Sequence, residues 1–198
     1  MSSRLPVGEH TSRPWRIHAI APDFQVEDVW SLPTPGGADD FPQLVEQFAA
    51  GPDHPVVRVL LAIRLRLGRP LGLNPPATRT LAPWMRERLP GDLTWWPGPD
   101  FGPFACLYHT DTEWAAHATT SGVDAISHLG WVHDGSGGYR GQWATLVKPH
   151  GLLGRAYMAS IAPIRHHLVY PLMVGSIARN WRAATSAGRS DDSSRSTR

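Results

Sequence analysis

The sequence predicts an α+β fold, one curved antiparallel sheet closed by a long C-terminal helix. Residues 126–181 read as strand, turn, strand, turn, strand and closing helix. Asp134-Gly-Ser-Gly-Gly138 joins one strand directly to the next, as a hairpin turn does. Tyr170, Met173, Val174, Ile177 and Trp181 fall within about 100° of one another on a helical wheel, the stripe of a core-facing helix.

Composition bounds the function. At 198 residues, with 41% hydrophobic residues and nine tryptophans, the chain can build one domain with a real core. The formal charge is only +2, Lys148 is the sole lysine and the arginines are dispersed, so no nucleic-acid footprint is read. Cys106 is the single cysteine, which excludes an intramolecular disulfide and makes a reducing, cytoplasmic setting the expectation. Its apolar neighbours make it a small core residue rather than a nucleophile. No apolar run approaches the roughly 18–20 residues of a spanning helix, so no transmembrane segment is expected, and the N-terminus lacks a signal-peptide core.

In chain order, residues 1–13 are expected to be a flexible N-terminus, 14–184 a single domain and 185–198 a disordered Ser/Arg/Asp-rich tail. Residues 15–20 alternate as a strand. Asp23 caps a short helix over 24–30 that turns Val26, Val29 and Trp30 inward. Asp40 and Pro42 open a second helix carrying Leu44, Val45 and Phe48, and Pro55 opens a third over 56–67, closed by Gly68. On that helix Arg58, Arg66 and Arg69 form a polar stripe, whereas Arg64 lies among Val57, Leu60, Leu61 and Leu67. It either snorkels to solvent or anchors an anion.

A proline-rich loop follows over 72–78, then a short helix over 80–89 with Pro83 in its first turn. An irregular stretch packed through Trp95, Trp96 and Phe101 comes next. Residues 104–109 read as a strand, and Thr110 or Asp111 caps a helix or turn containing Trp114. Strands then run from 125 to 133, from 139 to 148 and from 153 to 161, before Pro163 opens the closing helix and Pro171 kinks it. The 139–148 strand should turn Tyr139, Trp143, Thr145 and Val147 inward and Arg140, Gln142 and Lys148 to solvent. For the two strands beside it alternation leaves either face open.

A sheet laid against a helix can enclose a ligand. The candidate contacts are His128, Trp131, Trp143, Thr145, Tyr157, His166, Tyr170, Met173 and Arg64. Sites of this kind are apolar with a few placed polar groups.

The opening Ile17-His-Ala-Ile-Ala-Pro and Val26-Glu-Asp-Val-Trp30 resemble the first elements of the START/polyketide-cyclase-like superfamily, SRPBCC. The run from Lys148 through Pro163 to Trp181 is similar to an uncharacterised bacterial domain-of-unknown-function family, with relatives found behind NAD(P)-binding short-chain-dehydrogenase-like domains. The resemblance covers residues 15–183. It implies a helix-grip fold with a cavity between sheet and closing helix, an NAD(P)-binding oxidoreductase domain as a possible partner, and no established reaction. Related chains carry histidine two residues after the helix-opening proline, where this one has Arg165, so no catalytic histidine is carried over.

The leading expectation is a protein that binds a hydrophobic or aromatic small molecule. The alternatives are an enzyme of cyclase, hydratase or isomerase type, using His128 or His166 as acid/base with Tyr157 or Asp124 assisting, and a membrane-surface or partner-docking domain built on the arginine-striped helix. No H-x-x-x-H or H-E-x-x-H pair and no phosphate-cradling glycine loop occurs, so neither metal nor cofactor is expected.

Overall fold

The computed structural model describes residues 3–51, 55–68, 81–93 and 98–195, with side chains described through residue 186 and only in part over 55–68. The fold is α+β, built on a curved, open, antiparallel sheet of six strands and a long C-terminal helix. In chain order the elements are β1 (Ser3–Leu5), α1 (Gly8–Thr11), α2 (Arg16–Ile20), β2 (Gln25–Ser31), α3 (Phe41–Ala49), α4 (Pro55–Gly68), α5 (Pro83–Arg86), β3 (Ala105–His109), β4 (Glu113–Thr119), β5 (Val123–His133), β6 (Tyr139–Pro149), α6 (Gly151–Ile164), a π-helical turn (Arg165–Val169) and α7 (Tyr170–Arg195). The strand order is β1-β2-β6-β5-β4-β3.

The sheet is centred on the β5–β6 hairpin, paired over eleven residues from Val123↔Pro149 to His133↔Tyr139. Its turn is the glycine-rich one expected, with Gly135 and Gly137 at φ +85° and +95°, where a side chain would be strained. Asp134 holds it by accepting from the Ser136 and Gly138 amides.

Both faces of the sheet are covered. On one, the expected stripe Tyr170, Met173, Val174, Ile177 and Trp181 of α7 is buried with Phe41, Leu44, Val45 and Phe48 of α3 against Trp30, Trp114, Leu129, Trp131 and Trp143. Each such side chain contributes roughly 1.5–3 kcal/mol when fully buried, so this layer is a main source of stability. On the other, Ile17 and Ile20 of α2 and Met85 of α5 pack on Val29, Leu107, Tyr108, Ala115, Ile126, Ala144 and Leu146.

This second layer explains the first correction. Tyr139, Trp143, Thr145 and Val147 share the α7 face as expected, but Gln142, expected in solvent, is fully buried beneath the N-terminal segment. Alternation separates core from solvent only when one face is wet.

Four element assignments change. Residues 16–20 form a helix, not a strand. Residues 25–31 form a strand, not a helix, and a bulge between Val26 and Asp28 shifts its register. Over so few residues the two periods overlap, and Val26, Val29 and Trp30 fit a pleated surface better. Trp114 lies in a strand, β4, rather than a helix or turn.

The expected third strand, 153–161, is helix α6, and Pro163 lies inside that helix instead of opening one. Leu, Arg, Ala and Met favour helix, and the helix runs past Pro163 into the π-turn at Arg165–Val169. Within the expected flexible N-terminus, residues 3–13 supply β1 and α1 and bury His10 completely. α7 enters the expected tail and runs to Arg195. Trp95, Trp96, Arg69 and the loop over 72–78 lie outside the described residues, as does the side chain of Arg64.

Candidate functional site

The bulge in β2 and the π-turn between α6 and α7 bring one polar cluster together on the α7 face. Asp28 follows the bulge directly, opposite Thr145 of β6, and is fully buried. The π-turn widens the helix by one residue and sets Arg165 and His166 over it. His166 Nε2 lies 2.7 Å from Asp28 Oδ1, and Arg165 Nη2 lies 3.1 Å from Asp28 Oδ2. From the edge strand, Arg4 Nη2 approaches Asp28 Oδ1 to 3.0 Å. Arg165 also donates to Glu27 Oε1 at 2.9 Å, and its guanidinium sits 5.7 Å from the Tyr170 ring centroid.

Around Asp28 these are close approaches more than aligned hydrogen bonds. Among the described residues ten buried side-chain polar atoms lack an aligned partner, and five are here: both Asp28 oxygens, Arg165 Nε, His166 Nε2 and Trp30 Nε1. Trp30 shares this state with Trp15 on the opposite face, whereas four other indoles are satisfied. Trp114, Trp131, Trp143 and Trp181 each donate to an oxygen at 2.9–3.1 Å. A buried donor without an acceptor costs roughly 1–3 kcal/mol, so its concentration at one place calls for a partner. Next to it, Tyr170 and Thr145 hydroxyls meet at 3.0 Å, and burial pushes the phenol of Tyr170 up to about 12.

Of the nine sequence candidates, His166, Thr145 and Tyr170 join this cluster. Trp143 adjoins it, its ring 4.7 Å from that of Tyr170. Met173 is buried one turn further along α7, and Trp131 stacks on Tyr139 beyond it. Tyr157 packs with Val123, Val147 and Met158 under α6. Between sheet and α7 the described side chains meet one another directly. A shallow cleft lined by Phe48, Phe101, Met173 and Ile177 has room for about one water molecule.

His128 is not in this cluster. It projects from the opposite face of the sheet, where its Nδ1 lies 3.0 Å from His10 Nε2 and its Nε2 lies 3.3 Å from Glu113 Oε2. Glu113 accepts besides from the Tyr108 hydroxyl and the Arg16 amide, both at 3.0 Å. With Glu113 acting as acceptor throughout, the network assigns the His128 proton to Nε2 and the shared His10 proton to His10 Nε2. Burial, reinforced by neighbouring His128, lowers His10 to about 2, and burial lowers His128 as well, so both rings are neutral near pH 7. This network holds the N-terminal segment on the sheet.

Asp124 serves a third place. Its Oδ2 lies 2.9 Å from His150 Nε2 and its Oδ1 accepts from Thr119, fixing the entry to α6.

Sequence reasoning missed Asp28, Arg165 as a site residue, Trp30 as a polar group, Glu113 and His10. A signal was present for Asp28: an acid between β-branched and aromatic residues in Val26-Glu-Asp-Val-Trp30 has no cheap place in a strand covered on both faces.

No curated protein and no solved structure matches the chain. A family model described as protein of unknown function (DUF2867) matches residues 20–173, which include strands β2 to β6, α6, the π-turn and the start of α7. The chain belongs to the DUF2867 family.

Proposed function

We propose that the protein binds a small amphipathic molecule at the junction of β2, the π-turn and α7, within a helix-grip (SRPBCC/START-like) architecture. The observation that carries this is the set of five buried, unaligned polar atoms beside an aromatic wall of Trp30, Trp143 and Tyr170. Trp30 Nε1 and Arg165 Nε are donors in want of an acceptor, so the ligand's head is a carboxylate, carbonyl or hydroxyl. The aromatic rings beside these atoms suit an apolar or aromatic body. Bulges and π-turns both recur where a fold re-aims side chains for function.

The test is native mass spectrometry of protein purified without denaturation, then offered aromatic and long-chain carboxylates. A retained or acquired small-molecule mass that is lost in the Trp30→Phe/Arg165→Met variant supports the reading. Failure of every compound to add mass, with nothing extracted from the purified protein, removes it.

A second reading has one specific support. His166 Nε2 lies 2.7 Å from Asp28, and such a pair can act as general acid/base on a bound carbonyl compound. The enzyme reading rests on His166 and not on His128, which the sheet separates from this site.

A further inference from the structure

We propose that the outer face of α6 docks on an anionic lipid bilayer surface, with Leu152 and Leu153 as its inserting tip. The argument is independent of the ligand site. Seven large hydrophobic side chains are exposed among the described residues, and four belong to one stretch: Leu152, Leu153, Ile164 and Leu168. Leu152 and Leu153 are 82% and 77% exposed, adjacent, at the first turn of a helix. An outer helix face is ordinarily polar.

The tip is held in place. Gly151, at φ +61°, turns the chain sharply into α6, a conformation costly for other residues. Gly154 sits so close to the Gly122 carbonyl that an added Cβ would lie 2.2 Å from it. His150 bridges the Ser121 carbonyl and Asp124 across the same corner. The exposed leucines therefore stand on a rigid mount.

Charge selects the occupant. No Asp or Glu occurs from residue 135 to residue 190, a span with Arg140, Lys148, Arg155, Arg165, Arg179, Arg182 and Arg189. Lys148 and Arg165 are engaged with Asp23 and with Glu27 and Asp28. Arg155 and His167 flank the apolar face, are exposed and pair with no acid among the described residues. The α6 N-terminus adds about half a positive charge beside Leu152 and Leu153. A second copy of this face would set like charge on like charge, whereas anionic headgroups complement it. α6 has 14 residues, about 21 Å, suited to lying in the interface plane and too short to span.

Co-sedimentation of the full chain with vesicles of phosphatidylcholine alone, or mixed with phosphatidylglycerol, tests this at low and high salt. Pelleting with the anionic vesicles, weakened by salt and reduced about tenfold or more by Leu152→Glu/Leu153→Glu, is the expected result. Leu152→Ser/Leu153→Ser serves as a milder variant, with circular dichroism confirming that each is folded. No pelleting with anionic vesicles overturns the proposal, as does pelleting unchanged in both folded variants. A dimer that the leucine variants dissociate, in a protein that ignores vesicles, also overturns it and assigns the face to a second copy.

Discussion

Mild acid should destabilise this protein, and the buried histidines set by how much. His10, His117 and His128 are buried, at 0%, 2% and 0% exposure. Burial lowers His10 from 6.5 to about 2 and His117 from 6.5 to about 4, and lowers His128 as well. A histidine depressed in the folded state binds its proton in the unfolded chain first. Acidification through the unfolded value therefore favours unfolding, and stability falls until the folded value is reached. Between about pH 7.5 and about pH 5.5, each histidine with an unfolded value near 6.5 that stays neutral when folded loses about 1.4 kcal/mol. His10 and His117 together give a loss of about 3 kcal/mol, and His128 adds to it in the same direction. His150 acts oppositely: its bond to Asp124 raises it, so its stabilisation is fully present below its unfolded value and fades as pH rises through its folded one. Its ring is too exposed to cancel the buried ones. Urea unfolding followed by tryptophan fluorescence at both pH values measures the difference. Stability that is level or higher at the acid end would refute the assignment of these rings as neutral and buried.

Gly154→Ala forces a Cβ against the Gly122 carbonyl, a backbone atom that cannot step aside. It should cost about 1–3 kcal/mol in chemical denaturation, despite the better helix propensity of alanine. Trp181→Ala removes a fully buried indole and its bond to the Pro35 carbonyl at 2.9 Å, with an expected loss of about 3–5 kcal/mol by the same assay. Glu113→Ala leaves Tyr108, His128 and the Arg16 amide without their acceptor. Hydrogen exchange should then show α2 opening sooner, while Glu113→Gln retains part of the protection. Burial raises the Cys106 thiol to about 11, so it should alkylate far more slowly near pH 8 than it does in urea, as mass spectrometry would show.

The closing helix was legible because its apolar stripe repeats over three turns, with Tyr170, Met173, Val174, Ile177 and Trp181 all buried. The β5–β6 hairpin was legible because its glycines are required by the turn. Elements near the N-terminus were not, because strand and helix periods coincide over five to seven residues and the second helical layer removes the polar alternation a strand would show. α6 was misread for a related reason: nothing on its outer face is charged except Arg155, so no polar stripe marks it as a helix. At the site, His166, Thr145 and Tyr170 were found from their faces. Asp28 and Arg165 were not, since only the bulge and the π-turn, which no local pattern announces, aim them at one another.

The central claim is that the Asp28–Arg165–His166–Trp30 cluster holds the head of a small amphipathic molecule. Native mass spectrometry of the undenatured wild-type protein and the Trp30→Phe/Arg165→Met variant, with extraction of whatever co-purifies, addresses it most directly. The account predicts a small molecule with an acceptor head, retained by the wild type or taken up from the offered carboxylates, and absent from the variant. A wild type that carries nothing and takes up nothing, or a variant that binds as well as the wild type, would contradict it.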